Sequence, residues 1–185
     1  MEIAISINGV LRDLFGKIKQ VHQKYYDSDI KEDLNYDNIV KVLDFKDEDQ
    51  LLEFLYGEAP MEIFGHAKEV ENNFIRELNQ LMSENKDHNF TIISDEVGRG
   101  IPATFWFLAK YGCVIKNIKF YNIRDINNLW DGFDLIFTND EPIIKIRPKD
   151  KEVYTFNKTK NLDSKYTLDS VREIINLNIF KKENA

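Results

Sequence analysis

Ile3-Ala4-Ile5-Ser6-Ile7-Asn8-Gly9-Val10-Leu11-Arg12-Asp13 is an apolar, β-branched run that breaks into a polar turn with a glycine and then enters a helix. That order of strand, turn and helix is how an α/β domain presents chemistry at the carboxyl end of a parallel strand. What occupies the turn decides what the domain can do. Ser, Asn and Gly also have a plainer use there, because Ser and Asn side chains bond nearby backbone and Gly tolerates the tight bend.

Working outward, Leu11, Leu14, Phe15, Ile18, Val21 and Tyr25 recur at helical spacing, which predicts a helix with one buried face to about Tyr26. From about residue 27 to 59 the chain turns polar and acidic, with short apolar clusters at 39–43 and 51–56 separated by Asp44 to Asp49. Two or three short helices, inserted as a small cap, are expected there. Pro60 can open a helix, and Met61, Phe64, Ala67, Val70, Phe74, Leu78 and Leu81 predict one long amphipathic helix ending near Asn85.

A second strand-turn-helix unit follows: Phe90 to Ile93, a polar turn from Ser94 to Gly100, and a helix opened by Pro102 that carries Phe105 to Leu108. Phe105 and Trp106 are expected in the core. Further strands are expected at about 118–121, 134–138 and 152–156, and Thr167 is expected to cap a last helix whose face is Leu168, Val171, Ile174 and Ile175. Strands alternating with helices imply a mostly parallel, five-stranded sheet covered on both faces, a single domain over 1–185 with its cap at about 27–59.

The 185 residues are 43% hydrophobic and 31% charged, enough for one sizeable core, and the net charge of -7 argues against a nucleic-acid partner. Cys113 is the sole cysteine, so neither an intramolecular disulfide nor a thiolate metal cage can form, which suits a reducing, cytoplasmic compartment. Its apolar surroundings suggest an inert thiol. No stretch approaches the roughly 20 apolar residues of a membrane span. His22, on the first helix, is expected at a surface or boundary, His66 and His88 lack a Ser, Cys or second His at a productive sequence spacing, and none of the three is a triad candidate.

The segment Ile5-Ser6-Ile7-Asn8-Gly9-Val10-Leu11, the helical insertion after it and the strand ending at Ser94 together resemble the haloacid dehalogenase-like superfamily. Its first motif reads D-x-D-G-(T/V)-(L/V), and its second ends a strand in Ser or Thr. Asp134-Leu135-Ile136-Phe137-Thr138-Asn139-Asp140-Glu141-Pro142 looks like the D-V-L-I-D-D-x-P segment of the deoxyribonucleotidase branch, and Tyr154 to Asn161 looks like that branch's next strand and turn. The resemblance implies a three-layer α/β/α Rossmannoid fold. In an active relative the first acid attacks phosphorus and the second cycles a proton, but those positions here are Ser6 and Asn8.

Both acids are therefore replaced at once. Asn8, Gly9 and Ser94 remain as a phosphate cradle if one is retained, and Asp140 as a metal ligand if one is retained. Asp95 and Glu96 directly after Ser94 disfavour an anion unless a metal or Arg99 compensates. The motif III lysine has three candidates, Lys119, Arg124 and Lys145. The resemblance with its acids removed implies a catalytically inactive protein with no catalytic residue and no cofactor, an interaction or structural subunit whose partners are other proteins of an assembly. Because deoxyribonucleotidase-like proteins occur in bacteriophage genomes, the specific expectation is a virion component in an infected bacterial host, with phage structural proteins or further copies of the chain as partners. Two alternatives stand beside it: a divergent Mg2+-dependent 5'-nucleotidase using Asp140 and Asp13, and a non-catalytic nucleotide- or phosphate-binding module.

Overall fold

A computed structural model describes residues 1–156 and 166–180; the expected turn over 157–161 and the tail Lys181 to Ala185 lie outside the described residues. Six strands form one sheet: β1 (Glu2–Ser6), β2 (Asn89–Ser94), β3 (Asn117–Phe120), β4 (Leu135–Phe137), β5 (Glu152–Phe156) and β6 (Tyr166–Leu168). Their order is β3-β2-β1-β4-β5-β6 and every pairing is parallel. The expected α/β class is present, with six strands rather than five.

The added strand is β6, so Thr167 does not cap a helix. Thr167 pairs with Thr155, Leu168 pairs with Phe156, and the cap passes to Ser170, whose side chain accepts from the Arg172 N–H at the head of a 3-10 helix over Val171–Asn176. A three-residue strand offers too short a run for alternation to be read, and an edge pairing is set by the neighbouring strand.

By its contacts the chain divides into two compact units, one of residues 1–12, 69–95 and 111–185 and one of residues 13–68 and 96–110. The first holds the sheet. One sheet face carries Ala4, Ile93, Ile136 and Val153, which pack with Trp130 and Ile143. Trp130 is fully buried and its indole N–H donates to the Ile143 carbonyl at 3.0 Å. On the other face Phe137 stacks on Tyr154 at 5.4 Å between ring centroids, as the Phe137–Tyr154 register requires.

The second unit contains α1 (Leu14–Tyr26), α2 (Ile39–Val42), α3 (Glu48–Leu52) and, after α4 (Phe74–Glu84) of the first unit, α5 (Gly100–Lys110). It also contains π-helical turns over Glu53–Glu58 and Met61–Gly65, and it includes the whole stretch expected as the cap. Its core gathers Leu14, Ile18 and Val21 of α1 with Phe54, Phe64 and Ala103. Asp13 caps α1 by accepting the Gly16 N–H at 3.0 Å. His22, expected at a boundary, is buried, ringed by Tyr26, Phe45 and Phe54, with Nδ1 3.0 Å from Ser28 Oγ.

Two further expectations are corrected. The single long helix from Pro60 to Asn85 is broken: the turn over Met61–Gly65 ends, Arg12 and Glu69 form an antiparallel bridge, and the Val70 N–H donates to the Leu11 carbonyl at 3.0 Å. Glu69 then accepts the N–H groups of Asn73 and Ile75, and Asn73 takes a left-handed φ of 66° to start α4. Backbone committed to that bridge cannot also complete helical bonds. In α5, Phe107 and Leu108 are buried but Phe105 and Trp106 are exposed, because four successive helical residues sweep most of a turn and cannot all face one core. Among the described residues no helix is long and apolar enough to cross a membrane.

Truncating Trp130 removes the largest fully buried side chain of the first unit. Trp130→Ala is expected to cost about 3–5 kcal/mol. Trp130→Phe is expected to cost about 1–3 kcal/mol, because it leaves the Ile143 carbonyl buried without its donor. Urea unfolding of the two variants against the wild type measures both.

Candidate functional site at the carboxyl ends of the central strands

The turns after β1, β2 and β4 meet where the strand order changes direction, at β1 between β2 and β4. Register brings their first residues level: Ile5 pairs with Phe137 and Ser6 with Ile93, so Ser6 lies beside Thr138. The buried Ser6 hydroxyl donates to Thr138 Oγ1 at 2.7 Å, and Thr138 Oγ1 accepts the Asp140 N–H at 3.0 Å. Ser6 thus serves the start of α6 (Glu141–Lys145).

The turn after β1 closes on itself. Leu11 and Arg12 N–H groups donate to the Ile7 carbonyl, and the Gly9 N–H donates to the Arg12 carbonyl at 2.9 Å. Gly9 has φ +75°, and a Cβ there would meet Asn139 Nδ2 at 3.3 Å, so both conformation and space favour glycine. Asn139 Nδ2 donates to the Gly9 carbonyl at 3.1 Å while its Oδ1 accepts the Phe156 N–H at 2.7 Å. Asn139 therefore ties the first turn to β5.

Closure of the turn buries Arg12 completely. Its Nε and Nη2 both donate to Asn8 Oδ1, at 3.0 and 2.7 Å, and Asn8 Nδ2 donates to Asp95 Oδ1 at 3.2 Å. Withdrawal from water pushes the Asp95 carboxyl up, while the Arg12 charge and the Asn8 amide work against that rise. Asp140 faces Tyr121, whose hydroxyl donates to Oδ2 at 2.9 Å. Burial, helped by the Asp95 charge and opposed by Tyr121, pushes the Asp140 carboxyl up to about 6.

Of the residues singled out in the sequence, Ser6, Asn8, Gly9 and Asp140 come together, and Ser94 stands buried at the end of β2. Asp13 is the cap of α1. Arg99 donates to the Gly57 carbonyl at 2.7 Å, so the cation felt by Asp95 is Arg12, which the sequence reading passed over. None of the three candidates for the motif III lysine is the charge felt by Asp95 or Asp140: Lys119 lies over the Phe133 ring at 5.6 Å, Lys145 pairs with Glu141 and Arg124 is exposed. The signal for Arg12 was its spacing of four from Asn8, directly after the apolar pair Val10-Leu11.

No family model and no curated protein matches the sequence. Solved structures do match the fold. A haloacid dehalogenase-like hydrolase from Streptococcus pneumoniae superposes with a TM-score of 0.60 at 10% identity, covering 95% of this chain and 97% of its own. A HAD family hydrolase from Deinococcus radiodurans R1, with bound phosphate and sodium, gives 0.57 at 13% identity, covering 94% and 92%. A HAD hydrolase from Bacillus subtilis bound to magnesium gives 0.53 at 12% identity, covering 95% and 98%. The chain has the haloacid dehalogenase-like fold.

The residues here do not fit a magnesium ion. Mg2+ wants octahedral oxygen ligands including carboxylates. Asn8 Oδ1 is already held by two guanidinium N–H groups, Ser6 by Thr138, and a permanent cation is buried beside Asp95. Among the described residues no group of three or more His, Cys, Asp or Glu is arranged to hold a metal.

Asp140 gives the site a pH signature. With its folded value raised to about 6 from 3.8, the folded chain keeps a proton that the unfolded chain has released across that interval. Stability is fully present below the lower value and falls as pH rises through the higher one. Asp140→Asn is expected to flatten the fall of Tm over that interval, leaving the part due to Asp95; an unchanged slope assigns it to other groups.

Proposed function

We propose that this chain is a catalytically inactive haloacid dehalogenase-like protein of the deoxyribonucleotidase-like branch, serving as an interaction or structural subunit of a larger assembly. The observation that carries the reading is the Asn8 amide clamped by Arg12, in the place where the resemblance expects a proton-cycling acid. An amide cannot cycle a proton, and its oxygen is already committed to Nε and Nη2. Ser6, where the nucleophilic acid is expected, would need a general base to attack phosphorus, and its hydroxyl is spent on Thr138.

A fold without its chemistry is kept for its surface. The second unit exposes Phe105 and Trp106, 48% and 52% accessible, on one helix, and Met61 at 42%. Met61 and Trp106 flank Gly65, where an added Cβ would meet Met61 Sδ at 2.5 Å and Trp106 Cδ1 at 3.1 Å. Large apolar side chains gathered at a surface favour a protein partner. The most specific form of the reading is a bacteriophage virion component, in contact with phage structural proteins or further copies of the chain; it rests on the resemblance of residues 134–142 to the deoxyribonucleotidase branch. Asp140, whose carboxyl burial pushes up to about 6, is what favours the second reading, a divergent Mg2+-dependent nucleotidase.

Incubation with deoxynucleoside monophosphates and Mg2+ is expected to release no phosphate above the blank. Turnover that disappears on changing Ser6 or Asp140 overturns the inactive reading in favour of the nucleotidase. For the interaction reading, light scattering of the complex isolated from its source is expected to exceed the mass of one chain. Phe105→Glu with Trp106→Glu should return it to that mass; a wild-type monomer overturns the subunit role.

A further inference from the structure

We infer that Arg12 is a built-in counter-cation that takes the place of a divalent metal at the carboxyl ends of β1, β2 and β4, so that this acidic corner is neutralised from within the chain. The inference deepens the inactive reading above and rests on it for the identity of the corner.

Three features of Arg12 converge. Arg12 is fully buried, and a buried cation costs several kcal/mol unless it is paired and its donors are met. Two of its N–H groups converge on the neutral amide of Asn8 at Oδ1, and the other end of the same amide donates to Asp95. Asn8 thereby relays one polarised path from guanidinium to carboxylate, and an aspartate in its place would put a second negative charge beside Asp95. The backbone around Arg12 is also fixed, through its own N–H to Ile7, its carbonyl to Gly9, and the bridge to Glu69.

The chemistry of the two kinds of cation then decides what the site does. A metal ion needs several oxygen ligands at close to octahedral geometry and leaves when its concentration falls. A guanidinium is charged at every accessible pH, needs only acceptors in its plane, and cannot dissociate from its own chain. Asp95, held near Arg12, and Asp140, held by Tyr121, are thus kept in place whether or not metal is present. The replacement of the acid by Asn8 and the burial of Arg12 are one change.

Thermal melting of the full chain tests this without reference to turnover. In EDTA and in millimolar Mg2+ or Mn2+ the wild type is expected to melt at the same temperature; a rise of about 3 °C or more with metal overturns the inference. Arg12→Met is expected to melt lower than wild type and to recover part of the loss when Mn2+ is added; a variant with no metal response overturns it. Should Arg12→Met not fold, Arg12→Met with Asp95→Asn removes both charges and is expected to fold; a double variant that fails as the single one does overturns it equally. The two readings fail separately: phosphatase turnover in a wild type that ignores metal sinks the inactive reading and leaves Arg12 as the cation, whereas a metal-stabilised wild type without turnover does the reverse.

Discussion

The parallel pairing of β1 on both of its edges is the constraint on which the first unit depends. Ile3, Ala4 and Ile5 have no accessible surface, and their partners lie nearly ninety and more than one hundred and thirty residues away in sequence. A strand buried on both faces and both edges must send its polar turn out at its carboxyl end, because nowhere else can the backbone groups of residues 7–12 be met. Some are met within the turn, by Ile7, Gly9, Leu11 and Arg12, and others by Ile93, Val70 and Asn139. Asn8, Gly9 and Arg12 take their places from that closure.

Closure has an electrostatic consequence. It carries Arg12 out of water, and the long side chain then finds acceptors within the unit rather than in solvent. A permanent positive charge buried in the same corner then favours the ionised form of Asp95. Other polar groups of the corner are paired as well: Ser6 with Thr138, Asn139 with Gly9 and Phe156, Asp140 with Tyr121. Pairs of this kind rigidify a site.

Much of the fold was legible because its signals are local. The first strand, the buried face of α1 through Leu14, Ile18 and Val21, and the two strand-turn-helix units stand in the periodicity itself. Where the reading failed, a contact distant in sequence had overridden a local pattern. Val70 sits in helical phase with Phe74 yet lies exposed in a bridge to the first turn, and Thr167 has the chemistry of a cap yet pairs with β5. Phe105 and Trp106 mark a third case, in which apolar composition was read as burial although helical geometry leaves two of four adjacent residues outside.

For the site, the amino-acid sequence by itself determined which groups stand at its first two positions: Ser6 and Asn8 bring a hydroxyl and an amide, whose acidities and charges differ from a carboxylate's in any fold. It also determined that a glycine turn follows the first strand. Tertiary structure alone decided what those groups meet. The Asn8–Asp95 and Ser6–Thr138 bonds span 87 and 132 residues, and such separations carry no periodicity or spacing from which a pairing can be read. Arg12 looked like one of many charged residues on the way into a helix; its burial, which follows from how the turn closes, made it the central charge of the site.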